Sequence, residues 1–465
     1  MVLTLLVVSC VPTQKVREAN RKLPAQYDQT QIDSVNTANI SWKTFFTDPE
    51  LNTLIDSALA NNQELNIFLQ KIAIAKNEIK ARKGEYLPFV NYKAGADVEK
   101  VGEYTRNGAV EKNLKIKEDE VFPEPLTNYS AGLYASWELD VCKKLRNSKK
   151  MAVMEYLATT EGKKFMTTNL VAEVASAYYE LIALDNQLEI LNQNLKIQEN
   201  ALRVVKLQKR AAQATELTVQ RFEAEVLKNK SEKYEIKQQI TEVENKLNFL
   251  IGKFSAPIKR NSKGFLEKQI DSLHAGIPSE LLSNRPDIKR AEYELLAAKL
   301  DVKVAKANFY PSFGIKAGIG LQAFKPKYLT IMSESLLYNL GGDLVGPLIN
   351  RNAIKATYSS ANARQLQAVY EYEKAILNGY IEVANGLSNM KNLAKSYENK
   401  RKQVAALTKS IEVANKLYQS ARADYMEILL TQRDALESKM KLVETKKEQL
   451  LGRINVYKSL GGGWK

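Results

Sequence analysis

Histidine occurs once in this chain of 465 residues, as His274, and cysteine twice, as Cys10 and Cys142. That supply cannot build a zinc-finger array, an iron–sulfur site or a His-rich metal centre. His274 cannot serve a Ser-His-Asp triad unless it is the sole base, and His-Ala-Gly-Ile-Pro reads as a turn, so its role is structural. There is no GxGxxG and no GxxxxGK[ST], hence no nucleotide motif, and no enzymatic chemistry, cofactor or metal is called for. Proline is missing between residues 126 and 256 and again after 347.

What is present fills those gaps with helix. Proline breaks helix interiors, so two segments of more than a hundred residues without one predict very long helices. Leu181, Leu184, Leu188, Leu191 and Leu195 are spaced three, four, three, four. Val404, Leu407, Ile411, Ala414 and Tyr418 repeat that spacing, as do Ile240, Val243, Leu247 and Leu250, and Leu436, Met440 and Val443. These are coiled-coil seams. Each segment contains one reversal, near Gln208 to Leu217 and near Ser420 to Glu427. Helices of roughly 65–70 residues before each turn and about 35 after it are expected, the longer reaching about 100 Å.

Two regions switch to strict alternation. Val90, Tyr92, Ala94, Ala96 and Val98 alternate with Asn91, Lys93, Gly95, Asp97 and Glu99; Ala131, Leu133, Ala135, Trp137 and Leu139 alternate with Gly132, Ser136, Glu138 and Asp140. Ile315, Ala317, Ile319 and Leu321 alternate with Gly314, Lys316, Gly318 and Gly320; a weaker run sets Leu336, Tyr338, Leu340 and Leu344 against Asn339, Gly341 and Asp343. Strands are therefore placed at about 89–99, 129–140, 312–323 and 335–345. Runs of about ten residues with one apolar and one polar face suit a tilted membrane strand, though a half-buried sheet alternates equally. If they span a membrane, four strands leave open edges that lipid does not tolerate, so copies must join. A water-filled conduit favours at least three copies. Polar positions Lys93, Asp97, Glu138, Asp140 and Lys316 should then line the lumen.

The net charge is +15, but its Lys and Arg are scattered in short pairs such as Lys149-Lys150 and Lys446-Lys447. Solvated helix faces account for it better than a nucleic-acid surface. Val2 to Val8 is apolar and too short to cross a bilayer, like a secretory signal core. Val7-Val8-Ser9-Cys10 resembles a bacterial lipobox, which makes Cys10 the expected lipid attachment point and residues 11–41 an extended arm. Cys142 then has no disulfide partner, and a lone free thiol suggests packing.

The order helix, strand pair, long helix, turn, helix occurs twice, dividing the chain into repeats at 42–265 and 266–465. Gly84-Glu85-Tyr86-Leu87-Pro88-Phe89 is echoed by Ala307-Asn308-Phe309-Tyr310-Pro311-Ser312-Phe313. From Trp42 to the C-terminus the sequence resembles the TolC-like outer-membrane efflux family, in particular its lipoprotein subgroup of OprM/NodT type. The residues carrying this are Trp42 to Leu51, with Asp48 as a helix cap before Pro49; Ser136 to Asp140 with Leu145-Arg146; Gly276-Ile277-Pro278-Ser279-Glu280-Leu281 with Arg285-Pro286-Asp287-Ile288; and the terminal Leu460-Gly461-Gly462-Gly463-Trp464. Cys142-Lys143 stands where the family usually has Phe-Gly, and Ala212 or Gln213 and Ala421 or Arg422 stand where it has turn glycines. The hairpin tips are accordingly expected to be wound differently.

The resemblance implies a fold that is mainly α with membrane β, a homotrimer whose strands form a β-barrel and whose helices form an α-barrel tunnel. It implies a passive exit duct for small molecules, set in outer-membrane lipid and docked by a periplasmic adaptor to an inner-membrane pump of the RND type. The implied gate lies at the helix tips, around Asp424, Tyr425 and Arg422, with Thr215 and Glu216 on the other hairpin. A ring of Asp424 would concentrate charge at a constriction, or Asp424 simply caps the returning helix. Two other readings remain: the same duct serving type I protein secretion, and a soluble coiled-coil scaffold or basic nucleic-acid binder, which leaves the strands unexplained.

Overall fold

The computed structural model describes residues 17–27, 36–118, 120–270, 273–349, 351–420, 422 and 425–465. Seven helices carry most of it: α1 (Pro49–Asn61), α2 (Gln63–Glu85), α3 (Lys144–Arg210), α4 (Glu216–Leu250), α5 (Pro286–Ala307), α6 (Asn352–Gln419) and α7 (Tyr425–Ser459). Four strands form one antiparallel sheet in the order β1 (Phe89–Glu99), β2 (Leu126–Leu139), β3 (Ser312–Ala323) and β4 (Leu336–Val345). The long helices have 67 and 68 residues and their partners 35 each, as proline spacing predicted.

Local chemistry sets the boundaries. Asp48 accepts from the backbone N–H of Glu50 (3.1 Å) and Leu51 (3.4 Å) while Pro49 opens α1. Asn62 stops α1 and starts α2, accepting from Leu65 N (3.0 Å) and donating to Leu250 O (3.0 Å). Pro286 opens α5 with Asp287 in its first turn.

The chain forms two compact units. The first combines residues 73–157 and 293–369 and contains the whole sheet. Its helices pack through Ala305, Phe309, Tyr358 and Ala361, with the rings of Phe309 and Tyr358 edge-to-face at 5.8 Å. The loop from β1 to β2 holds a short helix, Arg106–Asn113, and a two-stranded ribbon. Glu120 of that loop is held by Lys325 (2.7 Å), Lys327 (3.5 Å) and the Tyr328 hydroxyl of the β3–β4 loop. Hydrogen bonds from Lys325 and Tyr328 pull its carboxyl down to about 2.

The second unit combines residues 19–72, 158–292 and 370–465. Its core joins Trp42, Phe45 and Phe46 to the α3 seam (Tyr178, Leu181, Leu191, Leu195) and to Tyr457. Phe45 stacks on Tyr457 at 4.0 Å, and the Tyr457 hydroxyl donates to Ile40 O (2.7 Å). This is why the Trp42 motif is apolar. His274 lies in the segment that pairs with residues 36–37, Thr37 N donating to its carbonyl (2.8 Å). Cys10 lies outside the described residues. Cys142 is free and exposed, not packed, which corrects the expectation for it.

Candidate functional site: a two-faced sheet and two hairpin tips

The sheet registers decide which strand residues share a face, because directly paired residues point the same way. Val90 pairs with Ala135, Ala135 with Ala317, and Ala317 with Leu340. Lys93 pairs with Gly132, Gly132 with Gly320; Ser136 pairs with Lys316, and Lys316 with Gly341. Alternation therefore stays in phase across all four strands. Lys93, Asp97, Glu138 and Lys316 lie on one face, and Val90, Tyr92, Ala135, Trp137, Ile319 and Leu340 on the other. Tyr92 is 86% exposed and Leu340 80%.

The polar face is also the narrow one. Gly95, Gly132, Gly314, Gly318, Gly320 and Gly341 all lie on it. Tyr134 covers Gly318, where an added Cβ would come within 2.9 Å of its ring. The charged face is thus the one with the glycines and most of the small side chains. Its inner charges are answered locally: Lys316 Nζ meets Asp343 Oδ2 at 2.8 Å, and Glu138 meets Lys144 Nζ at 2.5 Å.

Asp140 departs from its assignment. It follows the last residue of β2, and its side chain is turned into the start of α3. Its carboxylate accepts from Leu145 N and Arg146 N, both at 2.9 Å, and from Arg146 Nε at 3.0 Å. It is a helix-start clamp, not a lumen residue. Between them Lys143 takes φ +59°, the left-handed conformation of the glycine it replaces.

The hairpin tips belong to the second unit. At the first, Gln213 N donates to Gln208 O (2.8 Å) and Ala212 N to Lys209 O (3.0 Å). This is a Schellman turn, which needs a left-handed residue at the position Ala212 holds, and Ala212 has φ +54°. The tip is not wound differently; alanine takes the glycine conformation. Arg422 N donates to Leu417 O (2.9 Å) at the second tip, repeating the outer bond of the first. Left-handed alanine costs about 1–2 kcal/mol. Ala212→Gly should therefore stabilise the tip by about 1 kcal/mol, visible as slower amide hydrogen exchange over residues 207–218. Unchanged or faster exchange there would contradict it.

Thr215 caps α4, accepting from Thr218 N (3.3 Å). Glu216 is held by Gln220 (2.8 Å) and by Lys209, and these hydrogen bonds keep its carboxyl below the ordinary range. Both residues serve their own hairpin. Tyr425 forms the join between hairpins: its ring meets Tyr418 at 4.5 Å and Phe222 at 5.2 Å, edge-on. Burial, with Tyr418 alongside, raises its hydroxyl above the ordinary value. Gln208 Nε2 donates to the Tyr418 hydroxyl at 2.6 Å, a contact the sequence reading missed; Tyr418 was read only as a seam residue. Arg422 is exposed, and Asp424 lies outside the described residues. Among the described residues no group of His, Cys, Asp and Glu could hold a metal, and no helix is long and apolar enough to cross a membrane.

Comparisons with known proteins agree with this architecture. The family model for "Outer membrane efflux protein" matches residues 54–253 and 277–462. The cation efflux system protein CusC of Escherichia coli is 26% identical over 445 residues, covering 95% of this chain and 93% of that protein. The pyoverdine export outer membrane protein OpmQ of Pseudomonas aeruginosa is 27% identical over 464 residues, covering 99% and 95%. A crystal structure of CusC superposes with a TM-score of 0.83 at 25% identity, covering 97% of this chain and 99% of that one. The open-state MtrE outer membrane channel of Neisseria gonorrhoeae shares the fold, with a TM-score of 0.85 at 23% identity and coverage of 98% and 99%. With the match extending over most of its length, the chain belongs to the outer membrane efflux protein family.

Proposed function

We propose that three copies of this chain close a barrel in the outer membrane and act as a passive exit duct for small molecules. The observation that carries this is the sheet: one face apolar but for Thr127 near its end, one polar and rich in glycine, and both edge strands without a partner strand within the chain. In lipid those edges need partners. Lys93, Asp97, Glu138 and Lys316 line the lumen, and Asp140 is withdrawn from that set. The duct docks through a periplasmic adaptor to an inner-membrane pump of the RND type. The hairpin tips gate it, with Tyr425 as the hinge contact and Asp424 and Arg422 tying the closed state, while Thr215 and Glu216 hold the first tip in shape. Cys10 carries a lipid, and the division at 265/266 marks two duplicated repeats.

One set of cysteine variants, made in the Cys142→Ser background and expressed in a strain lacking its own duct, tests this. Thiols at positions 93, 97, 138 and 316 should react with a membrane-impermeant reagent, and thiols at 90 and 135 should not. The opposite pattern would invert the two faces. In planar bilayers Asp424→Ala should raise the closed-state conductance; an unchanged conductance removes Asp424 from the gate. Palmitate label should disappear in Cys10→Ser, and its persistence would place the lipid elsewhere.

A further inference from the structure

Resting on the three-copy reading, we infer that β1 of one copy pairs with β4 of the next in a single register, with Lys93 directly opposite the partner subunit's Asp343. The first indication is charge. Inner-strand charges are matched within the chain, as in Lys316–Asp343 at 2.8 Å. Among the described residues Lys93 and Asp97, on the edge strand β1, make no ion pair. Asp343 binds Lys316 through one carboxylate oxygen only, which leaves the other for a second cation.

Parity narrows the register. Polar-face residues have odd numbers in both β1 and β4. Odd must therefore meet odd, because a one-residue slip would set the charged row against the lipid-facing row.

Barrel geometry narrows it further. The ladder row of Lys93 crosses Gly132 and Gly320 and leaves the sheet at Leu337. Closing the barrel on that same row would give no stagger, and a barrel requires one. Three-fold symmetry and the parity rule allow total staggers of about 6, 12, 18 or 24 residues, of which about 6 would lean the strands by only about 19°. A strand of 11 residues at about 3.3 Å per residue is about 36 Å long. It must cross an apolar band about 25 Å tall, so it leans by about 45°. With strands about 4.8 Å apart, a stagger of about 12 gives about 35° and about 24 gives about 54°, whereas about 18 gives the required lean.

A stagger of about 18 is six residues per copy. Counted from Leu337 it reaches Asp343 in one direction and leaves the strand in the other. Asp97 then meets the partner subunit's Asn339, and Gly95 meets the partner subunit's Gly341, so the middle of the seam carries a glycine pair on the polar face. Opposite charges facing across a ladder favour this register over its neighbours.

Disulfide cross-linking of the full-length protein in outer membranes tests it, again with Cys142→Ser. Directly opposed Cα atoms lie about 4.5–5.5 Å apart, within disulfide reach, and diagonal ones about 7–8 Å, beyond it. Ala96→Cys with Leu340→Cys should give covalent multimers on a non-reducing gel, as should Lys93→Cys with Asp343→Cys. Ala96→Cys with Tyr338→Cys and Lys93→Cys with Gly341→Cys, two residues out of register, should give about tenfold less. The Ala96 pairs leave every charge in place, so a charge variant that fails to assemble does not mask the answer. The reverse pattern overturns the register and leaves the trimer standing. Trimers by native mass with no cross-link in either pair overturn β1–β4 pairing itself. Monomers by native mass overturn the three-copy reading instead.

Discussion

Arg285→Ala should destabilise the second unit by about 3 kcal/mol, at the lower end of the range for breaking a buried ion pair. Arg285 is 5% exposed. Its guanidinium forks onto Asp287 (Nε to Oδ1 3.0 Å, a terminal nitrogen to Oδ2 2.6 Å) and reaches Glu382 (2.7 Å) and Ser459 O (2.8 Å). One side chain thereby joins the start of α5, the middle of α6 and the end of α7. Burial opposes the charge, but Asp287 and Glu382 outweigh it and raise the guanidinium's affinity for its proton. Truncation strands two carboxylates and a carbonyl; Asp287 at 25% and Glu382 at 51% side-chain exposure recover some hydration, which keeps the loss from the upper end. Arg285→Lys should lose less, because a point charge can hold one carboxylate but cannot fork. Trp464, whose indole N–H donates to Asn284 O at 3.4 Å, reports on this junction. The expected result is a lower midpoint of heat denaturation by tryptophan fluorescence, Ala below Lys below wild type. Equal midpoints would show that the cluster contributes nothing.

The sequence made the long helices legible because proline is a hard veto and a three–four seam is a geometric requirement. It made the strands legible because the polar and apolar rows stay in phase through three ladders. It failed where local pattern and chain path separate. Asp140 continues the alternation of β2 by eye, yet the chain has already left the sheet, and a carboxylate a few residues ahead of Leu145-Arg146 is better placed to cap α3. Ala212 misled because the hairpin turn is imposed by packing. Val205, Val219 and Phe222 bury against Leu429, and that closure forces a left-handed residue at the corner whichever side chain occupies it. The habits of cysteine predict packing for Cys142, whereas it sits exposed at the corner between β2 and α3, where Lys143 turns left-handed. The Gln208–Tyr418 bond links residues 210 positions apart, and no local pattern announces such a pair.

Gly320→Val should abolish the duct. Valine is among the best strand formers, and propensity alone would favour the change by up to about 1 kcal/mol. The main chain forbids it. A Cβ on Gly320 would sit 2.5 Å from Ala131 O and 2.7 Å from Gly132 Cα, and one on Gly132 would meet Ile319 O at 2.7 Å. These are backbone atoms of the paired strand, so no rotamer change relieves the clash. β2 and β3 form the central ladder of the sheet; forcing them apart breaks bonds whose groups have no water to turn to, at several kcal/mol for each unsatisfied group in lipid. The expected outcome is no heat-resistant oligomer, little protein in the outer membrane and a complete loss of export. Gly341→Ala is the control. It lies on the same polar face, one strand over; within the chain its added Cβ meets nothing within 4 Å, and across the proposed seam it faces only a glycine. It should assemble and export like wild type. If Gly320→Val assembles as well as Gly341→Ala does, the two strands can separate at this crossing, and the polar face does not depend on its glycine pair.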